Sequence, residues 1–159
     1  MENLGFQIKK ATKDDIPAIQ EITREAFVKY QELAGLKTNI EALTETHEDI
    51  EKDIETKLVL VAFMEDTPVG SVRIAIDNNK FAYLSRFGVR LNYQNQGVGK
   101  ALMNVADHYM KENSVKQLQL HTASKVFSLV RFYYGRHFYI HSTTNDRGYI
   151  RALLCKDYE

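Results

Sequence analysis

Apolar positions along the chain change their period several times, and each change marks an element. Residues 6–12, "FQIKKAT", alternate as a first strand. Asp14 and Asp15 then cap a helix that tolerates Pro17 in its first turn. Ile16, Ile19, Ile22, Ala26, Phe27 and Tyr30 carry it at helical spacing until Gly35 breaks the pattern. A second helical region is predicted from about residue 38 to residue 57. The period then drops to that of strands: "KLVLVAFME", a turn at "DTP", "VGSVRIAID", a turn at Asn78-Asn79, and "FAYLSRFGVR". These three runs predict an antiparallel meander. A helix over 98–112, a strand "KQLQLHT", a helix over about 125–134, a strand "FYIHST", a turn at 145–148 and a last strand "YIRALLCK" complete the chain. The order is βααβββαβαββ, a mixed α/β layout with a mostly antiparallel central sheet flanked by helices.

Composition narrows the classes. The 159 residues, 44% of them hydrophobic, suit one globular domain with a real core. Lysine plus arginine number 21, as do aspartate plus glutamate, so no net field draws the chain to nucleic acid or to an anionic membrane. Cys155 is the single cysteine, which excludes an internal disulfide and a thiolate metal cluster. It sits in an apolar alternation that reads as a small buried thiol. No apolar run reaches the length of a membrane span and "MENLGFQIKK" has no signal-peptide core, so a cytoplasmic location is expected. His47, His108 and His141 are scattered, and no metal site is expected.

The chemistry concentrates in "YQNQGVGKALM". A Walker A loop fails here, because Gln94 replaces its first glycine and Ala101 its magnesium-binding hydroxyl. A dinucleotide fingerprint fails as well: Leu102 holds the third glycine position and no parallel βαβ unit begins at this point. What fits is Gln-x-x-Gly-x-Gly, present as Gln94, Asn95, Gln96, Gly97, Val98 and Gly99. Gly97 and Gly99 would let the backbone turn tightly and approach an anion. The unpaired amides of the following helix would then point at a pyrophosphate. Lys100 either adds charge or faces solvent.

This loop, after the strand "RFGV" and before a long amphipathic helix, resembles motif A of the GNAT family, the GCN5-related N-acetyltransferases. The element order carries the resemblance over nearly the whole chain. It implies direct transfer of an acetyl group from acetyl-coenzyme A to a primary amine of a small molecule or peptide. It also implies that the backbones of Phe87 and Val89 bind pantetheine in a gap beside a splayed strand, with a bulge near Gly88 and an amide facing the thioester oxygen. Lys125 and Arg131 would meet the 3′-phosphate, and a homodimer is compatible with the family.

A second family pattern lies in "SLVRFYYGRHF", where Phe132-Tyr133 and Phe138 match at the expected spacing. The resemblance makes Tyr133 the acid that protonates the departing thiolate; the alternative is a core tyrosine in an aromatic cluster. The pattern departs at His137, where a glycine is usual, and Gly135 lies two positions earlier. A helix that ends sooner than the family pattern would make Tyr134 a rival acid. Where many members carry a basic glutamate this chain has Ser85, which with Tyr83 would order a water. His121 is another candidate base, because imidazole titrates near neutrality. Glu41, Glu45, Glu48, Asp49, Glu51, Asp53 and Glu55 line the segment that walls the acceptor pocket in the family. They form either an acidic wall for a cationic amine or a solvated helix face. A binding module for coenzyme A that regulates without turnover is the alternative function.

Overall fold

The computed structural model describes residues 5–38 and 40–158. Seven strands form one sheet: β1 (Phe6–Lys10), β2 (Leu58–Met64), β3 (Thr67–Ile76), β4 (Phe81–Val89), β5 (Gln117–Ala123), β6 (Tyr139–Thr144) and β7 (Arg151–Asp157). Their order is β1-β2-β3-β4-β5-β7-β6. The predicted meander is present, and β4–β5 is the one parallel pair in an otherwise antiparallel sheet.

Helices cover both faces of this sheet, which is why β2 reads as continuous apolar sequence rather than as alternation. Val59 and Val61 pack with Ile16 and Ile19 of α1 (Ile16–Ala34) and Ile50 of α2 (His47–Thr56). Leu60 and Ala62 belong instead to the cluster holding Leu102, Ala106 and Met110 of α3 (Val98–Glu112). Gly35, with φ 68°, stops α1 where the sequence pattern breaks. The second helical region is shorter than its predicted span of 38–57. A capping box between Thr46 and Asp49 starts α2 only at His47. A loop with a short 3-10 turn, Glu41–Leu43, precedes it.

One polar cluster lies inside the α1–α2 side. Arg73 of β3 has no solvent exposure. Its guanidinium spans both carboxylate oxygens of Glu45, donates to Asp53 at 2.9 Å and reaches Thr23 Oγ1 at 3.2 Å. Glu45 also pairs with Arg86 at 3.3 Å, and Asp53 with Lys57 at 3.3 Å. Strands β3 and β4, α2 and the loop before α2 are therefore tied through one buried charge network.

The end of α4 (Phe127–Gly135) explains the departure at His137. Phe138 N–H donates to Tyr133 O at 3.1 Å and His137 N–H to Tyr134 O at 3.0 Å. This is a Schellman arrangement, whose left-handed residue is normally glycine. His137 takes that conformation with φ 76°, while Gly135 stays in the helix with open space where a Cβ would stand. The helix does not end early, so Tyr133 keeps its inward register. Exchanging the two residue types, His137→Gly with Gly135→Ala, is expected to stabilise the fold by about 1 kcal/mol at each position. Thermal unfolding should show a rise of about 2–4 °C per kcal/mol for a chain of this size; an unchanged or lower Tm would refute the reading.

Candidate functional site

Strands β4 and β5 pair only at their beginnings, through Phe81–Gln117, Ala82–Leu118 and Tyr83–Gln119. Beyond Tyr83 they part, and the gap opens into a cleft of about 1200 Å³. The cause lies on the other edge of β4. Ser71 pairs with Gly88 and Arg73 with Ser85, so Arg86 and Phe87 together face the single residue Val72. That extra residue is a β-bulge, and it bends the strand away from β5.

The bulge sits at Arg86–Phe87, directly before Gly88, where the resemblance suggested one. Arg86 adopts φ 53°, a conformation that costs a side-chain-bearing residue about 1 kcal/mol or more. Its ion pair with Glu45 is one of the contacts that hold it. Gly88 is a glycine for another reason: a Cβ there would lie 2.7 Å from Ala26 Cβ of α1. Arg90 N–H donates to Val69 O of the β3 side at 2.8 Å. By strand alternation the backbone groups of Val89 therefore point away from β3, toward the gap, while at Phe87 the bulge interrupts the ladder with β3.

At one end of the gap stands the glycine turn. Asn95 (φ 64°) and Gly97 (φ 91°) are both left-handed. Ala101 N–H makes the first helical bond, to Gly97 O at 2.9 Å, which leaves the amides of Val98, Gly99 and Lys100 without intrahelical partners. Gln94 braces the turn by donating from Nε2 to Val89 O at 3.3 Å, and Gln96 does so to Asn92 O at 3.2 Å. Gln94, Asn95, Gly97, Val98, Gly99 and Lys100 line the cleft, and Gln96 does not.

Gly99 has no positive φ. A Cβ there would meet Phe87 at 3.0 Å and Phe132 at 3.5 Å, two rings stacked with centroids 5.5 Å apart. Its smallness makes room for that stack rather than for a tight turn. Val98 is buried, within reach of Gly70 of β3, and fixes the start of α3 against the sheet. Lys100, Arg131, Arg136 and Phe127 surround a shallower hollow beside the turn. Lys125 lies outside both hollows and is exposed. Arg136 was not legible as a site residue, because its approach to Lys100 depends on how α4 packs.

Tyr133 forms the floor of the cleft. Its ring lies among Phe87, Phe132 and Phe138 at centroid distances of 6.2, 5.3 and 5.6 Å. Its hydroxyl has no hydrogen-bond partner among the described residues, yet it is not sealed from the cleft. Burial pushes its phenol well above the ordinary value. The two readings of this tyrosine merge: the ring is core and the hydroxyl belongs to the site. Tyr134 is half exposed and does not line the cleft.

Opposite the floor, Ser85, Tyr83 and His121 line the wall. His121 Nδ1 lies 2.6 Å from Tyr83 Oη. Burial, then the nearby charges of Arg151 and Arg147, lower the His121 pKa, so its imidazole is neutral at pH 7.

The far end is built from elements distant in sequence. Tyr30 of α1 meets Tyr149 at 2.9 Å, hydroxyl to hydroxyl. Arg147 and Arg151 flank Tyr149 and, like Arg86, line the cleft; Arg151 pairs with Asp146 at 3.2 Å. Of the seven acids proposed as a wall, only Glu41 lines the cleft. Glu45 and Asp53 are held by Arg73, and Glu48, Asp49, Glu51 and Glu55 lie outside it. The acidic wall is thus replaced by arginines.

Among the described residues no cluster of His, Cys, Asp and Glu has the form of a metal site, and no helix is long and apolar enough to cross a membrane. Cys155 is buried, and burial raises its thiol pKa.

A sheet parted by a bulge, with a helix start at one end of the gap, is the frame in which the fold holds this cleft. The sequence model of the acetyltransferase (GNAT) family matches residues 16–154, and the chain belongs to that family. Streptothricin acetyltransferase A of Bacillus subtilis is 30% identical over 99 residues, 59% of this chain and 57% of the relative. The match thus takes in little more than half the length of that relative. The PaiA N-acetyltransferase of Thermoplasma acidophilum, solved in complex with coenzyme A, superposes with a TM-score of 0.84 at 22% identity, over 96% of this chain and 99% of its own. The ribosomal-protein-S18-alanine N-acetyltransferase of Escherichia coli superposes with a TM-score of 0.77 at 16% identity, over 96% and 93%. At these identities the superpositions establish the shared fold.

Proposed function

We propose that the cleft transfers an acetyl group from acetyl-coenzyme A directly to a primary amine. The observation that carries this reading is the gap beside β4, with free amides at the α3 turn on one side and the unpartnered Tyr133 hydroxyl beneath. The residues fit the donor part by part. The amides of residues 98–100 suit a pyrophosphate. The backbone groups of Phe87 and Val89 suit the amides of pantetheine, bound as an added strand would be. An amide of the bulge would face the oxygen that becomes negative as the amine attacks.

In the reaction the amine nitrogen bonds to the thioester carbon and the carbon–sulfur bond breaks. One proton leaves the nitrogen, and one goes to the departing sulfur. Tyr133 supplies the latter. His121 takes the former, directly or through a water held by Ser85 and Tyr83. With the imidazole proton on Nδ1 and donated to Tyr83, the lone pair on Nε2 is available to the amine. Holding both reactants in one gap supplies much of the acceleration.

Lys100, Arg131 and Arg136 would bind the 3′-phosphate, and Lys125 would contribute only from outside the hollow. Arg131→Ala combined with Arg136→Ala is expected to weaken acetyl-coenzyme A binding roughly 10- to 100-fold. Binding of the 3′-dephospho form should hardly change; equal losses on both ligands would refute the assignment. The reaction itself is tested by mixing protein, acetyl-coenzyme A and a panel of amines, and following free thiol. Amine-dependent release supports transfer. Tight coenzyme binding with no release from any amine would favour the regulatory binding module.

A further inference from the structure

We infer that the acceptor amine carries a carboxylate, and that Arg147 receives it. This inference rests on the acetyl-transfer reading for the place of the amine and extends it to the acceptor's class.

Charge in the cleft is the first observation. Arg86 and Arg151 line it, and each has a carboxylate partner, Glu45 and Asp146. Arg147 lines it too and has no hydrogen bond or ion pair with any described residue. Glu41, exposed at the rim, is the only acid among the lining residues. A polycationic acceptor would meet three guanidinium groups in such a pocket, and like charges at short range are strongly disfavoured. An acceptor with one negative group would meet one uncompensated guanidinium, whose planar fork matches a carboxylate.

The second observation is how Arg147 is held. It precedes Gly148, whose φ of 87° turns the chain between β6 and β7. The next residue, Tyr149, is fastened to Tyr30 of α1 by the hydroxyl contact. On the other side Arg151 Nη2 bonds Asp146. The turn is thus pinned at both flanks across the mouth of the cleft. Arg147 and Arg151 line the same cleft as His121 and Tyr83. A carboxylate at Arg147 would therefore hold its amine in the cleft whose wall carries the base, as an amino acid would.

The test uses the full chain with acetyl-coenzyme A and three kinds of acceptor: the common amino acids, their carboxamides, and spermidine. Free thiol is followed for the native protein and for Arg147→Ala. The expected result is a kcat/KM about 10- to 100-fold higher for the best amino acid than for its carboxamide. Arg147→Ala should abolish that preference by lowering the rate on the acids about 10- to 100-fold more than the rate on the carboxamides. Carboxamides or spermidine equal to or better than the acids would overturn the inference and leave acetyl transfer standing. So would equal losses on acid and carboxamide in Arg147→Ala. Aminoethyl phosphate serves as a further arm: if it outperforms every amino acid in an Arg147-dependent way, the anion is a phosphate and the carboxylate inference falls.

A binding measurement separates the two readings if no amine releases thiol. N-acetyl amino acids and their carboxamides are titrated into the coenzyme A-loaded protein, and the shift in Tm is read. A shift with the acids alone, lost in Arg147→Ala, supports the carboxylate site while defeating turnover. No shift with any acid defeats the carboxylate site.

Discussion

Arg73→Met is expected to destabilise the protein by about 3–5 kcal/mol, the loss typical of removing one partner from a buried ion pair. A fold of this kind has about 5–15 kcal/mol in total, so the substitution takes a large share. The cost arises from what is left behind. Glu45 is buried, and Asp53 is mostly so; with Arg73 gone, only Arg86 and Lys57 would remain to face them. Adding Glu45→Gln to Arg73→Met should recover part of the loss, because one stranded carboxylate becomes a neutral amide. Urea unfolding of the three proteins checks this. A loss below about 1 kcal/mol for Arg73→Met would mean that the cluster contributes no more than a surface pair. The same network holds the loop before α2 against the bulge, so the single variant is also expected to weaken the acceptor side of the cleft.

The second large effect is on turnover. Tyr133→Phe is expected to lower kcat by roughly 10²–10⁴-fold, the usual contribution of a positioned acid. Coenzyme binding should persist, because the ring packing with Phe87, Phe132 and Phe138 is unchanged. Stability should hold or rise slightly, since the hydroxyl removed has no partner among the described residues. Burial raises the phenol pKa, so the acid stays protonated through neutral pH and into the alkaline range. No loss of rate from this group is expected as pH rises toward the ordinary tyrosine value of about 10. An unchanged kcat in Tyr133→Phe would remove the residue from the mechanism and leave it as core.

Much of the site was legible because its signals are local. The Gln94–Gly97 turn carries its backbone geometry in the residues themselves, and Gly97 takes the left-handed φ that its position suggests. Phe132-Tyr133 was picked out by resemblance to a family pattern carried on one helix. At two other glycines the structure supplies a reason different from the one the sequence suggested. Gly88 and Gly99 are small because Ala26 and the Phe87–Phe132 pair press on them, and those neighbours come from elsewhere in the chain. The bulge falls on Arg86, a residue with no local preference for it.

The sequence by itself determined the element order, the meander, the two-faced burial of β2 and the phosphate-type turn, since each follows from periodicity or turn chemistry over a few residues. Only the tertiary structure decided how charge is spent. It drew Glu45 and Asp53 inward to Arg73, left the other acids of α2 outside the cleft, and brought Arg147 to its mouth through a tyrosine pair 119 residues apart in sequence. Local pattern tells a strand from a helix because backbone geometry repeats over short distances. An ion pair forms wherever packing delivers two side chains, and that placement is a property of the whole fold.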